Sequence, residues 1–358
     1  EAHGGSGASL RDLAVVAEAC GARLASAPVV ETMVASRLLA RFAAGNEAAG
    51  SVLSTLAEGG APMALAVRPA VDGRASLVPG AAVAAAVIAL DGDDLVLVRL
   101  GDPLTSPSNL GSAPLADVDL SAGSLTVLAS GDAAHQAHTT AVDEWRALTA
   151  RWMVGLGREA QAIGIQYAKD RKQFDVPVGS FQAVQHRFAD IATDIDGADL
   201  LSNKAIWALD VEDRVADSFP AMAFWFAGDM AHRATSWSLH VHGGYGFMEE
   251  YDIQLYFRRA KALQLVLGDP RRELQVLADR LWSSESRWSI PGTDFRPTVG
   301  TGATDVAPPA EGDDHGGYDF RLGASVESYR AEVRAFLGEH VPDEVIERAH
   351  SPGTFHDR

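Results

Sequence analysis

Two short segments gather the residue types that could do chemistry. The first, YAKDRKQFDVPVGSFQ at residues 167–182, places Lys169, Arg171 and Lys172 beside Phe174 and Phe181 in an otherwise acidic chain. Guanidinium forks suit a pyrophosphate and an aromatic face suits a flat ring, but a basic run at a helix C-terminus is also what the helix dipole favours. The second, HVHGGYGFMEEY at residues 240–251, places Gly243, Gly244 and Gly246 directly after a helical stretch. Such glycines let backbone N–H groups approach a phosphate or a ring, and they equally well cap a helix. His240 and His242 are two residues apart, on different helix faces, so a shared metal would need extended backbone there and no metal site is expected. Glu249 and Glu250 point apart as adjacent residues do, and read as a solvated pair. No Ser/His/Asp or phosphate-loop spacing stands out.

The elements that must position these segments follow from hydrophobic period. Apolar residues between Leu10 and Ala44 recur at helical spacing, interrupted by Gly21 and Pro28, which predicts two short helices. Between Met63 and Leu128 short apolar runs alternate with Gly, Pro and Asp. LDGDD, between Val83–Ile88 and Leu95–Leu100, reads as a hairpin turn in a small β domain. From Glu144 a period of 3.6 through Trp145, Leu148, Trp152 and Leu156 predicts a helix of about 26 residues. A second helix is expected from Ser180 as N-cap, a third from Ser218, and a fourth through Ile253 and Leu263 that resumes at Leu274, Leu277 and Leu281 beyond Gly268-Asp269-Pro270. Four amphipathic helices with short connections predict an antiparallel bundle. Residues 283–317, rich in Gly, Pro, Ser and Thr, read as a linker, and Tyr318 onward regains a helical face.

Composition narrows the function classes. With 358 residues, 30 Lys plus Arg and 48 Asp plus Glu, the net charge of −18 has the wrong sign for nucleic acid or an anionic membrane surface. The single Cys20 cannot make an intrachain disulfide or a thiolate metal site, so redox work needs a borrowed cofactor and a cytoplasmic setting is expected. The longest apolar run, Ala81 to Leu90, is about half of what a spanning helix needs. The chain starts at Glu1 and finishes in SPGTFHDR, so both ends are expected to continue into a longer polypeptide.

Taken together, YAKDRKQF-x-VP-x-GSFQAVQHRFAD and, about 60 residues later, HGGYGFMEEYDIQLYFRRAK resemble the C-terminal helical bundle of the acyl-CoA dehydrogenase family. The usual forms there are YA-x-x-R-x-QFG-x-P-x-x-x-FQ and QV-x-GG-x-G-x-x-x-E. The resemblance covers roughly residues 1 to 282 and is strongest from 146 to 264. It implies a mainly α fold with a small β domain: a truncated N-terminal helical domain (1–50), the β domain (51–135), an antiparallel four-helix bundle (136–282), the linker (283–317) and the start of a second dehydrogenase-like unit (318–358). The parent chain resembles fused two-unit dehydrogenases of actinobacterial type, some of which handle steroid side chains.

The resemblance further implies FAD as cofactor, held between the β domain of one unit and the bundle of its partner. A carboxylate removes the α-proton of an acyl-CoA while the β-hydride goes to the flavin, giving a 2-enoyl-CoA. By position, Arg171 would pair with the partner's FAD pyrophosphate, Gln173 and Phe174 would line the flavin or its phosphates, Gln182 would hydrogen-bond the cofactor, and Gly243 with Gly244 would let backbone reach the adenosine side. Asp175 stands where the family has Gly, and His240 where it has Gln. The two positions that carry the base in family members hold Leu267 and Trp145, and the neighbouring carboxylates Glu144 and Asp269 are weak substitutes. The β domain is short and lacks the family's Trp-containing segment that packs on the flavin. This unit is therefore expected to lack a base and to complete the flavin site of a partner unit. The second unit of the same chain, a homo-oligomer and an electron-transfer flavoprotein acceptor are the implied partners. The alternatives are a structural partner that binds no flavin, and a flavin oxidase or nitroalkane oxidase on the same fold.

Overall fold

The computed structural model describes residues 4–211 and 218–282, together with the single residue Ala335. The linker and the second unit expected beyond residue 282 lie outside the described residues, Ala335 apart. Glu1–Ser283 forms one compact unit.

Helix α1 (Leu10–Ala22) opens on a capping box: Asp12 N–H donates to Ser9 Oγ at 3.3 Å and Ser9 N–H to Asp12 Oδ2 at 2.8 Å. The break expected at Gly21 falls one residue later, where α1 ends at Ala22; Gly21 also lets α1 cross a later helix backbone to backbone, since a Cβ there would sit 1.9 Å from Trp152 O. Helix α2 (Val29–Ala40) follows Pro28, and α3 (Glu47–Ala57) starts at Asn46, whose side chain caps Ala49 N. The β domain expected from residue 51 therefore begins later, since its first residues belong to α3.

Strands β1 (Met63–Leu65), β2 (Arg74–Val78), β3 (Ala86–Asp91), β4 (Asp94–Arg99), β5 (Ala116–Asp119) and β6 (Ser124–Ser130) form a four-stranded sheet ordered β1-β3-β4-β6 and a β2-β5 ribbon. β1 runs parallel to β3, and β3 to β4 is the expected hairpin, in register from Ala86↔Arg99 to Asp91↔Asp94. The strand period of two explains the long apolar run. Ile88, Leu90, Leu95 and Leu97 join the core shared with the helices, while Val87, Ala89, Val96 and Val98 join a second core with Val118 and Leu120. The run divides into a 3-10 turn over Ala81–Val83 and the strand β3, whose two faces are both buried, and among the described residues no helix is long and apolar enough to cross a membrane.

Helix α4 (Asp132–Asp170) spans 39 residues, longer than the predicted 26 and starting earlier than Glu144. Its early buried face is Ala134, Ala137, His138 and Ala141, three alanines and a histidine whose helical spacing carries little hydropathy contrast. From Ala141 to Gly157 every residue is buried, so its charges are paired: Asp143 with Arg146 and Arg280, Glu144 with Arg37 and Arg41, Arg151 with Glu18 and Asp199. A hairpin, β7 (Lys172–Gln173) and β8 (Val176–Pro177), connects to α5 (Gln182–Asp210). Ser180 is not its N-cap. Ser180 Oγ donates to Pro177 O at 2.6 Å within a 3-10 turn, and Phe181 occupies the cap position.

Helix α6 (Ser218–His242) runs directly into a 3-10 turn over Gly243–Phe247. The fourth segment is two helices, α7 (Ile253–Gln264) and α8 (Arg271–Trp282), with Gly268 at φ +98° between them. Leu274, expected on the apolar face, is exposed. Glu273 is buried instead because it accepts from Arg146 Nε at 2.7 Å and Nη2 at 3.1 Å. Segments α4 to α8 make up the expected bundle.

Candidate functional site

The connection between α4 and α5 is built around a two-residue hairpin turn. Phe174 and Asp175 lie at φ +53° and +64°, the left-handed pair that such a turn requires. Asp tolerates this region better than most residues, which accounts conformationally for a carboxylate where the family has Gly, whereas Phe at the first position is strained. The turn holds Phe174 out, 88% exposed, with its ring edge-on to Phe181 at 6.4 Å.

Arg171 sits at the base of this hairpin with its backbone fixed on both sides. Its N–H donates to Tyr167 O at 2.8 Å and its carbonyl accepts from Val178 N–H at 2.8 Å. The guanidinium carbon lies 6.0 Å from the Tyr245 ring centre, and among the described residues no carboxylate pairs with it. The other wall comes from the end of α6. His242 Nδ1 donates to Ser238 O at 2.6 Å and its ring stacks on Tyr167 at 4.0 Å, while Tyr167 Oη donates to His242 O at 3.4 Å. Desolvation of Tyr167 pushes its phenol above the usual range.

Between these walls lies a cleft of about 510 Å³ lined by Tyr167, Arg171, Gln173, His242, Gly243, Gly244 and Tyr245 among others. Four sequence-predicted residues, Arg171, Gln173, Gly243 and Gly244, are brought together here. Phe174 stands at the turn tip and Gln182, exposed, opens α5; neither lines the cleft. His240 stacks on Trp237 at 5.0 Å, away from His242. Among the described residues no group of three His, Cys, Asp or Glu is placed to hold a metal ion.

Glycine is required by internal packing at Gly246, where a Cβ would meet Leu239 O at 2.5 Å. At Gly243 and Gly244 a Cβ would meet nothing within 4 Å; Gly243, at φ +61°, has a conformational reason and Gly244 has neither reason. The open space over these two residues and a guanidinium with no carboxylate partner among the described residues together suit an anionic group approaching from outside the chain. Among the described residues the cleft lining holds no carboxylate, so the arrangement suits binding of such a group.

The two positions where the resemblance leads a base to be expected, and the two neighbouring carboxylates, are occupied as follows. Trp145 is fully buried and donates its indole N–H to Glu31 Oε1 at 3.3 Å; Leu267 packs on the core. Glu144 is buried and accepts from Arg37 Nε at 3.0 Å and Arg41 Nη2 at 2.8 Å. Asp269 is exposed and its carboxylate takes the Arg271 side chain at 2.5 Å and the Arg271 N–H at 2.9 Å, which hold its pKa down to about 2. Both substitutes are committed to arginines. The carboxyl that sequence reasoning missed is Glu31: burial pushes it above the usual carboxylate range.

Residues 135–282 match the family model described as acyl-CoA dehydrogenase, C-terminal domain. The acyl-CoA dehydrogenase IpdE2 of Mycolicibacterium smegmatis is 32% identical over 289 residues, covering 77% of this chain and 81% of that one. Among solved structures, the Tcur3481-Tcur3483 steroid ACAD superposes with a TM-score of 0.69 at 26% identity, over 78% of this chain and 82% of that one. The ChsE4-ChsE5 complex from Mycobacterium tuberculosis does so with a TM-score of 0.70 at 26% identity and the same coverage.

Proposed function

Because this chain belongs to the acyl-CoA dehydrogenase family of FAD-binding oxidoreductases, we propose that it completes the flavin site of a partner unit that carries the catalytic base. The observation that carries the reading is Arg171, an exposed guanidinium without a carboxylate partner among the described residues, at the rim of a cleft whose glycine face is open. Arg171 binds the pyrophosphate through charge-assisted hydrogen bonds, and the Gly243–Gly244 backbone lets the adenosine side approach. Gln173 orients the group from the hairpin, Gln182 does so from the start of α5, and Phe174 at the turn tip shields the flavin from water. When bound, FAD supplies the acceptor for the β-hydride of the acyl thioester. The α-proton goes to a carboxylate of the partner unit, since Leu267 and Trp145 hold the two base positions here and Glu144 and Asp269 are paired with arginines. The reaction supported is α,β-dehydrogenation of an acyl-CoA to a 2-enoyl-CoA. The likeness to a steroid ACAD and to a two-protein complex supports a bulky acyl group and a hetero-assembled site.

The test is the flavin-to-protein absorbance ratio of the complete protein with its partner unit, comparing wild type with Arg171→Ala. Loss of a charged hydrogen bond of about 1.5–3 kcal/mol weakens flavin retention by about ten- to hundredfold. Unchanged flavin occupancy in a folded variant overturns the reading and leaves a structural partner that does not hold the cofactor.

A further inference from the structure

The Arg171 guanidinium is exposed and makes no hydrogen bond or ion pair among the described residues. A free arginine side chain samples many rotamers, and binding a ligand restricts them at a cost in entropy. A neighbouring carboxylate would aim the fork, but it would also neutralise the charge and occupy the N–H groups that an anionic ligand needs. An aromatic face escapes that conflict. It attracts the cation through its quadrupole and leaves the five N–H groups unspent.

Tyr245 is placed to do this. Its ring centre lies 6.0 Å from Arg171 Cζ, at the reach of such an attraction. The ring is braced rather than loose, because Tyr251 packs against it at 5.5 Å with the planes 34° apart. Tyr251 in turn meets Tyr167 edge-on at 6.4 Å and His242 edge-on at 5.9 Å, and it packs on the hydrophobic core. Backbone bonds fix both rings at their roots: Met248 N–H donates to Tyr245 O at 3.1 Å and Tyr251 N–H to Met248 O at 3.2 Å. A column of rings therefore runs from the core to the guanidinium.

We propose that Tyr245 is a positioning residue: its ring, braced by Tyr251, holds the Arg171 guanidinium at the cleft with its N–H groups available to a pyrophosphate. The role rests on the pyrophosphate reading of Arg171 and adds to it the group that restrains the fork. Tyr245 acts through Arg171, so removing the ring matters only while the guanidinium is there.

The experiment is a double-mutant cycle read as the Kd for FAD, measured by flavin fluorescence as FAD is added back to the flavin-depleted complete protein with its partner unit. Tyr245→Phe keeps the ring and binds FAD within about twofold of wild type, whereas Tyr245→Leu weakens it about two- to fivefold. In the Arg171→Ala background Tyr245→Leu has no further effect. Tyr245 is 43% exposed, so both replacements spare the core, and Tyr245→Met takes the place of Tyr245→Leu where that variant does not fold. The role is overturned if Tyr245→Leu binds FAD like the wild type, or if it weakens FAD as much without Arg171 as with it. Arg171→Ala alone reports separately on the pyrophosphate reading: unchanged FAD affinity there removes that reading and the role of Tyr245 with it, while a loss there combined with additive effects removes the role of Tyr245 only.

Discussion

Glu144 offers the sharpest separation between a carboxylate that reacts and one that holds structure. Its side chain is 6% exposed, and it bridges Arg37 and Arg41, which remain 31% and 42% exposed. Glu144→Gln keeps the volume and removes the charge. Two charge-assisted bonds, each worth about 1.5–3 kcal/mol, become neutral ones, and the arginines recover part of the loss from water. A net cost of about 2–3 kcal/mol results. For a folded unit of this size each kcal/mol lowers Tm by about 2 °C, so a fall of about 4–6 °C is expected. The assay pairs thermal unfolding followed by circular dichroism with turnover per bound flavin in the complete protein. The reasoning predicts a lower Tm with turnover per flavin retained. An unchanged Tm together with abolished turnover refutes it, because Glu144 would then be the proton acceptor and its ion pairs incidental.

Further outcomes follow from the packing and from the buried carboxyl. Gly155→Ala places a Cβ 2.0 Å from Glu18 O, a backbone atom that cannot swing aside, and is expected to cost about 3 kcal/mol or more, read as a falling urea midpoint. Glu31 has a raised pKa in the folded chain, so the native state keeps this proton at pH values where the unfolded chain has lost it. Its penalty is absent below the unfolded value near 4.5 and grows as pH rises toward the folded one. Glu31→Gln therefore gains Tm over wild type progressively as pH rises above about 4.5; a difference that stays constant as pH rises contradicts a buried carboxyl whose pKa is raised.

The residues of the first cleft were legible because their types are unusual for their surroundings: a basic cluster in an acidic chain and adjacent glycines after a helix. That Arg171, Gln173, Gly243 and Gly244 share one cleft followed only from the resemblance, since they are 70 positions apart and belong to different helices in the reading by period. Gly21 was legible as the end of α1 but its second role was not, because a glycine that permits close helix contact and one that ends a helix look alike in sequence; the Trp152 carbonyl across the gap reveals it. The start of α4 was hidden by alanines, which are helix-forming and buried yet give little amphipathic contrast. Glu31 carried no signal, since an acidic residue in the first turn of a helix reads as a solvated partner of the dipole. The walls that remove it from water come from α4, α7 and the loop at Gly80, all distant in sequence.

Helix α4 continues without interruption from the β domain to the Arg171 hairpin. His138, near its start, hydrogen-bonds Ala66 O at 2.8 Å, Thr149 lines a small pocket with Glu31 and Leu263 at its middle, and Arg171 closes its far end. Thr149 and Arg171 are thus about 33 Å apart along one hydrogen-bonded rod. A subunit docking on the hairpin would push on an axle rather than on a loose loop, and bending that axle means breaking backbone hydrogen bonds in a helix buried along its middle. Assembly at one end and pocket shape in the middle are, for this molecule, read from the same piece of hardware.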